Sequence, residues 1–71
     1  MQNLWVEYYQ GYPLSVFCGD DDSKEVALIY IEEGGHYKFE PLNNISSVYY
    51  TTTIDDGLDY IRECIKVSHN E

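Results

Sequence analysis

The chain is short of basic residues. Its 71 residues include 13 Asp and Glu against four Lys and Arg, which gives a formal net charge of −9 at pH 7. The phosphates of DNA, RNA or an anionic membrane repel such a charge, so we expect no direct binding to nucleic acid or to a membrane. A basic protein surface is the electrostatic partner that this composition favours.

Long apolar runs and cysteines are also scarce. No stretch approaches the roughly 18 consecutive apolar residues of a membrane span. The start, MQNLWVEYYQ, has neither the basic region nor the continuous apolar segment of a signal peptide. In this setting we expect Cys18 and Cys64 to be reduced thiols. These absences together predict a cytoplasmic protein.

Catalytic and metal-binding motifs are missing as well. The run Asp20-Asp21-Asp22 with Glu25 has neither the alternating ligands nor the central glycine of a calcium loop. The cysteines and histidines, at positions 18, 36, 64 and 69, do not form the two closely spaced ligand pairs of zinc sites. There is no glycine-rich phosphate loop and no nucleophile elbow. We therefore expect a protein that is not an enzyme and that carries no metal and no cofactor.

The residues that are present suffice for a core. Apolar residues make up 44 % of the chain and aromatic residues 15 %, with eight tyrosines. A chain of this length buries about 60 % of its unfolded surface when it folds. We expect one domain over residues 1–71 and no second one.

Residues 25 to 42 predict a β-hairpin on which the other elements are built. Gly34-Gly35 supplies the positive φ of a two-residue turn, which would place Glu33 opposite His36 and Tyr30 opposite Phe39. Alternation then predicts a core face and a half-apolar opposite face that needs cover from a partner or a second copy. The core face would carry Val26, Leu28, Tyr30, Tyr37 and Phe39, and the other face Ala27, Ile29, Ile31, His36, Lys38 and Glu40.

Further strands are indicated by β-branched and aromatic content. Residues 3–10 and 14–18 predict a first hairpin around the turn Gly11-Tyr12-Pro13, and residues 46–52 predict a fifth strand. Adjacent residues of a strand point to opposite faces, so one ring of Tyr8-Tyr9 and one of Tyr49-Tyr50 should lie in the core.

The C-terminal part changes to a helical period. Ile54, Leu58, Ile61 and Ile65 predict an amphipathic helix over residues 54–67, with Thr53 as its N-cap. Gly57 should cost about 1 kcal/mol relative to Ala and loosen the first turn. The predicted fold class is α+β: a small antiparallel sheet of four to five strands, made of two successive hairpins plus one strand, with this single C-terminal helix packed on one face.

Acidic side chains are the unusual feature of the surface. Carboxylates two residues apart on a strand lie about 6.6 to 6.8 Å apart, and those one helical turn apart about 5 to 6 Å, which approximates successive phosphates of a nucleic acid. We expect one or two negative patches that bind a partner. The candidate partner-binding residues are Asp20, Asp21, Asp22, Glu25, Glu32, Glu33, Glu40, Asp55, Asp56 and Asp59, with Ile29 and Ile31 as apolar contacts. The alternative is that the acidic residues only keep a small domain soluble.

In size and composition the chain resembles the small acidic inhibitors that viruses and mobile elements use against host nucleases, glycosylases or defence complexes. This resemblance implies a DNA mimic that binds a basic, nucleic-acid-handling enzyme or defence complex and covers its basic surface. The alternative function is a small structural or assembly protein that forms a homodimer or larger oligomer through the apolar sheet face with Ile29 and Ile31 or through an unpaired edge strand.

Overall fold

The computed structural model describes residues 3–19, 24–43 and 46–69. Within them five strands form one antiparallel sheet in chain order, followed by a helix that packs on one face. The elements are β1 (Leu4–Tyr9), β2 (Tyr12–Cys18), β3 (Lys24–Glu32), β4 (His36–Pro41), β5 (Tyr49–Thr51) and α1 (Ile54–His69). The predicted fold class is confirmed.

The first hairpin turns one residue earlier than predicted. Gln10 and Gly11 have φ values of 52° and 85°, and Tyr9 pairs with Tyr12 across them. Positive φ at both central residues is the signature of a type I′ turn, whose twist matches that of the flanking strands. Pro13 therefore belongs to β2, where it is buried.

The second hairpin has a three-residue turn rather than the predicted two-residue turn. Glu32 pairs with His36 and Ile29 pairs with Phe39, so the turn consists of Glu33-Gly34-Gly35. The predicted pairing of Glu33 with His36 is wrong by one residue on β3. Because side chains alternate between faces, this one-residue difference moves every β3 side chain to the other face relative to β4.

The correct register determines the core. The buried cluster consists of Val16, Ala27, Ile29, Phe39 and Ile61. Ile29 is 5 % exposed, so the prediction that it lies on an uncovered face is wrong. Tyr30, predicted to lie in the core, is 41 % exposed instead. Ala27 and Ile29 of the predicted uncovered face thus lie in the core with Ile61 of the helix, whereas its β4 residues, His36, Lys38 and Glu40, lie on the side away from the helix.

Helix α1 begins as predicted and extends two residues further. The backbone N–H of Asp56 donates to Oγ1 of Thr53 at 3.2 Å, which confirms the predicted N-cap. The predicted apolar stripe faces the sheet: Ile61 is buried, and Ile54, Leu58 and Ile65 pack against the core.

Gly57 lies directly over the core. A Cβ atom at this position would lie 2.1 Å from two ring carbons of Phe39. The missing side chain allows the first turn of α1 to approach the sheet closely. The glycine that the sequence presents as a weak point of the helix is thus a packing requirement.

The end of the sheet is tied to the helix by aromatic contacts. The rings of Tyr49 and Tyr60 stack with centroids 4.5 Å apart, and the Tyr60 hydroxyl donates to the carbonyl of Ser47. Burial raises the pKa of Tyr60.

Strand β5 is shorter than the predicted strand over residues 46–52. Cys18 and Cys64 are both buried as free thiols.

Candidate functional site

The face of the sheet opposite α1 is the candidate site, and we call it the open face. Cross-strand partners share a face, so the register defines its members. They are Trp5, Glu7, Tyr9, Tyr12, Ser15, Phe17, Glu25, Leu28, Tyr30, Glu32, His36, Lys38, Glu40 and Tyr50.

Negative charge collects on this face. Of the described residues, it carries Glu7, Glu25, Glu32 and Glu40 against a single lysine, Lys38. Glu7 and Glu40 end one row across four strands, so their backbones lie roughly 14 Å apart at about 4.8 Å per strand. The carboxylates are thus spread over the face rather than gathered at one point.

Aromatic rings lie between these carboxylates. Trp5 and Phe17 stack with centroids 6.1 Å apart and planes 17° apart. The indole Nε1 of Trp5 donates to Oε2 of Glu7 at 2.7 Å. Stacking and hydrogen bonding hold this ring and this carboxylate side by side at the β1 edge of the sheet.

A second aromatic group lies on β3, β4 and β5. Tyr30, Lys38 and Tyr50 form one row, and Nζ of Lys38 lies 4.8 Å from the centroid of the Tyr30 ring. A hydrogen bond to the Glu40 carboxylate, together with its charge, raises the pKa of Tyr30. Tyr50 is 56 % exposed and contacts His36 edge to face, with centroids 6.2 Å apart.

Carboxylates of the helix have local roles on the other side of the sheet. Asp56 accepts from the hydroxyl of Tyr49 at 3.1 Å and from that of Thr51 at 2.8 Å. The first of these hydrogen bonds raises the pKa of Tyr49. Asp59 forms an ion pair with Arg62 at 3.0 Å. These groups stabilise the start of α1 and the junction between α1 and β5.

The structure divides the predicted site residues between different parts of the fold. Glu25, Glu32 and Glu40 lie on the open face, Asp55, Asp56 and Asp59 lie on α1, and Glu33 lies in the β3–β4 turn. Ile31 is 51 % exposed on the helix side of the sheet, whereas Ile29 lies in the core. The predictions for Asp20, Asp21 and Asp22 lie outside the described residues. The described carboxylates therefore do not converge on one patch.

Sequence reasoning missed part of the open face. Glu7 was not among the predicted site residues, and Tyr30 was placed in the core. The signal that assigns Tyr30 is the alternation of β4, where Lys38 and Glu40 flank the buried Phe39. A lysine directly opposite Tyr30 marks that tyrosine as a surface residue once the three-residue turn is known.

The two pairs of adjacent tyrosines, Tyr8-Tyr9 and Tyr49-Tyr50, differ in exposure. Tyr49 is partly buried and Tyr50 is exposed, as alternation predicts. Tyr8 and Tyr9 are 58 % and 64 % exposed, so the prediction that one of them lies in the core is wrong. Tyr9 shares the open face with Glu7, and Tyr8 lies next to the turn of the first hairpin. The β1 residues that pack against the core are Leu4 and Val6, further from that turn.

The part of the chain that the structure describes contains no group of three or more His, Cys, Asp or Glu arranged to hold a metal ion. Within the same residues, no helix is long and apolar enough to cross a membrane. Comparison with family models, with curated proteins and with solved structures finds no match.

Proposed function

We propose that this protein is a non-enzymatic acidic binding protein that inhibits or modulates a nucleic-acid-binding protein by occupying its basic surface. The observation that carries the proposal is the open face, where four carboxylates and several aromatic rings share one side of the sheet. The partner is a basic nucleic-acid-handling enzyme or a defence complex, and the binding is of the nucleic-acid-mimic type.

The mixture of groups supports mimicry of a nucleic acid. Grooves that bind single strands combine positive charge for phosphates with aromatic side chains on which bases stack. The open face offers carboxylates where a strand offers phosphates, and it offers the exposed rings of Tyr30 and Tyr50 where a strand offers bases. Opposite charges speed encounter and fix orientation, while buried rings slow dissociation.

The helix side supports the proposal less. Asp56 and Asp59 accept from Tyr49, Thr51 and Arg62, and the described residues of α1 present no exposed aromatic ring beside them. Self-association through Ile29 has lost its basis, since that side chain is buried under α1. The open face is the described surface on which acidic and aromatic side chains are available together.

Affinity capture from a lysate of the native host, at low and high salt with quantitative mass spectrometry, tests the proposal. The bait is the full chain, compared with an open-face variant, Glu7→Gln/Glu25→Gln/Glu40→Gln. We expect a nucleic-acid-binding protein that wild type retains at low salt and releases at high salt. The open-face variant should retain it at least about tenfold less, because it loses three charge contacts.

A helix variant, Asp55→Asn/Asp59→Asn/Glu63→Gln, is the matched control. It removes the same number of charges from the opposite side of the sheet, so it should retain the partner like wild type. If both variants lost the partner to the same extent, net charge and not the open face would determine binding. Partners without nucleic-acid binding, or retention that ignores salt, would also count against the proposal.

A further inference from the structure

We propose that the open face binds an arginine of a basic protein segment, with the guanidinium over the ring of Tyr30 between Glu32 and Glu40, in the place that Lys38 occupies in the free protein. This inference rests on the proposed function and specifies how that face recognises its partner. It assigns a cation-binding subsite to Tyr30, a residue whose exposure only the correct register reveals.

Tyr30 lies between two carboxylates on the open face. Glu32 is two positions further along β3, about 6.6 to 6.8 Å away. On the other side, Glu40 pairs with Leu28 and reaches the Tyr30 phenol diagonally across the β3–β4 pair. An aromatic ring flanked by two negative groups has the composition of a cation site, since the ring face and the carboxylates both attract positive charge.

Lys38 shows that a cation is accommodated there. Its Nζ lies 4.8 Å from the ring centroid of Tyr30, within the range of a cation–π contact. Lys38 lies between Tyr30 on β3 and Tyr50 on β5, both exposed. The lysine is therefore an internal ligand on a surface site that an external cation can reach.

Arginine is the cation that can replace it. A guanidinium is planar, stacks on an aromatic face and donates two parallel hydrogen bonds to a carboxylate. An ammonium is compact and strongly hydrated, so leaving water for the ring costs it more. A partner lysine would exchange one ammonium for another with little gain, whereas an arginine adds stacking and a bidentate bond to Glu32 or Glu40.

Charge identifies the occupant as a basic segment. The chain carries a formal charge of −9, and the open face carries more carboxylates than cations. A second copy of the chain would bring the same negative charge against this face, and a nucleic acid would bring phosphates. An arginine-rich protein segment is the partner whose charge complements the face.

Titration of the full-length protein with a nine-residue arginine peptide, followed by NMR of the Lys38 side chain, tests the displacement. In the free protein the ε-methylene protons of Lys38 lie near the Tyr30 ring and should be shifted upfield by its ring current. We expect the arginine peptide to move them to the position of an exposed lysine. A nine-residue lysine peptide should bind about fivefold more weakly and move them less.

Substitutions measured by calorimetry with the arginine peptide locate the contact. Tyr30→Leu should weaken binding about five- to tenfold, whereas Tyr30→Phe, which keeps the ring, should weaken it less than about threefold. Lys38→Gln should tighten binding about threefold, because the internal competitor is gone. Lys66→Gln on α1 makes the same change of charge far from the site, and it should tighten binding clearly less.

Several results would overturn this inference. If the arginine peptide binds while the Lys38 protons stay in place, or if Tyr30→Leu and Tyr30→Phe bind equally, Tyr30 is not the subsite. These results would not decide the proposed function, which the capture of a nucleic-acid-binding partner tests separately. Absence of peptide binding also overturns the inference. A dimer seen by sedimentation that Tyr30→Leu dissociates would make a second copy the occupant.

Discussion

At the scale of single residues, the contact between Gly57 and Phe39 explains a feature that propensity alone marks as a defect. An exposed glycine in a helix is about 1 kcal/mol worse than alanine. Here the α-carbon faces a fully buried ring, and a methyl group has no room. Packing therefore makes alanine less favourable than glycine at position 57, the opposite of what helix propensity predicts.

Gly57→Ala is predicted to destabilise the protein by roughly 1 to 3 kcal/mol, because the added methyl overpacks the core. Urea unfolding followed by circular dichroism measures this difference. In a Phe39→Leu background the same substitution should cost less, since the ring that it strikes has gone, and the two changes should be non-additive. A variant as stable as wild type would show that α1 can shift away from the sheet at little cost.

Tyr30 shows a second residue-scale effect. Its assignment to the core or to the surface depends wholly on whether Phe39 or Lys38 lies opposite. With Lys38 opposite, the tyrosine becomes part of a cation-accepting face and interacts with Glu40. One pairing thus decides whether the ring of Tyr30 lies on the open face or in the core.

At the scale of elements, α1 is anchored at its start by side chains that the sequence identifies. Thr53 accepts a hydrogen bond from the N–H of Asp56, and Asp56 in turn accepts from Thr51. Negative charge at this end also complements the helix dipole. These contacts connect the end of β5 to the helix that covers the core.

Thr53→Ala is predicted to lower the free energy of unfolding by about 1 kcal/mol, the usual effect of losing an N-cap. Chemical denaturation of the purified variant measures it. The neighbouring exposed Thr52 offers a matched control, since Thr52→Ala should change stability by less than about 0.5 kcal/mol. Equal effects of the two substitutions would mean that the cap contributes nothing to stability.

Much of the secondary structure could be predicted because its signals are local. The helical stripe from Ile54 to Ile65, the cap at Thr53 and the positive-φ glycines all act within a few residues. The register of the second hairpin could not be predicted in this way. Both faces of β3 are apolar, so alternation does not choose between them, and Gly34-Gly35 suits a turn of two or three residues.

The prediction of the candidate site depends on the same register. Glu25, Glu32 and Glu40 were predicted from charge alone, and they lie on the open face. The rings beside them, and Glu7 at the edge, depend on cross-strand pairs that only the fold supplies. Ile29 was misassigned for the same reason: its partner is Phe39 in the core rather than a polar residue of β4.

At the scale of the whole molecule, the negative charge is distributed in two ways. On α1, Asp56, Asp59 and Glu63 have hydrogen-bond or ion-pair partners within the chain, whereas the carboxylates of the open face lie among aromatic rings. Among the described residues, one helix packs on one side of the five-stranded sheet, and no further helix or strand packs on the other side, where Tyr30 and Tyr50 are exposed. The proposed function assigns recognition to the open face and stability to the face that packs on α1.

Displacement of a labelled oligonucleotide from the captured partner tests most directly whether the open face occupies a nucleic-acid-binding surface. Fluorescence anisotropy is followed while the full-length protein is added. We predict that the anisotropy falls to the value of the free oligonucleotide, that Glu7→Gln/Glu25→Gln/Glu40→Gln requires at least about tenfold more protein, and that the matched helix variant behaves like wild type. An anisotropy that stays constant, or rises as a ternary complex forms, would contradict occupation of that surface.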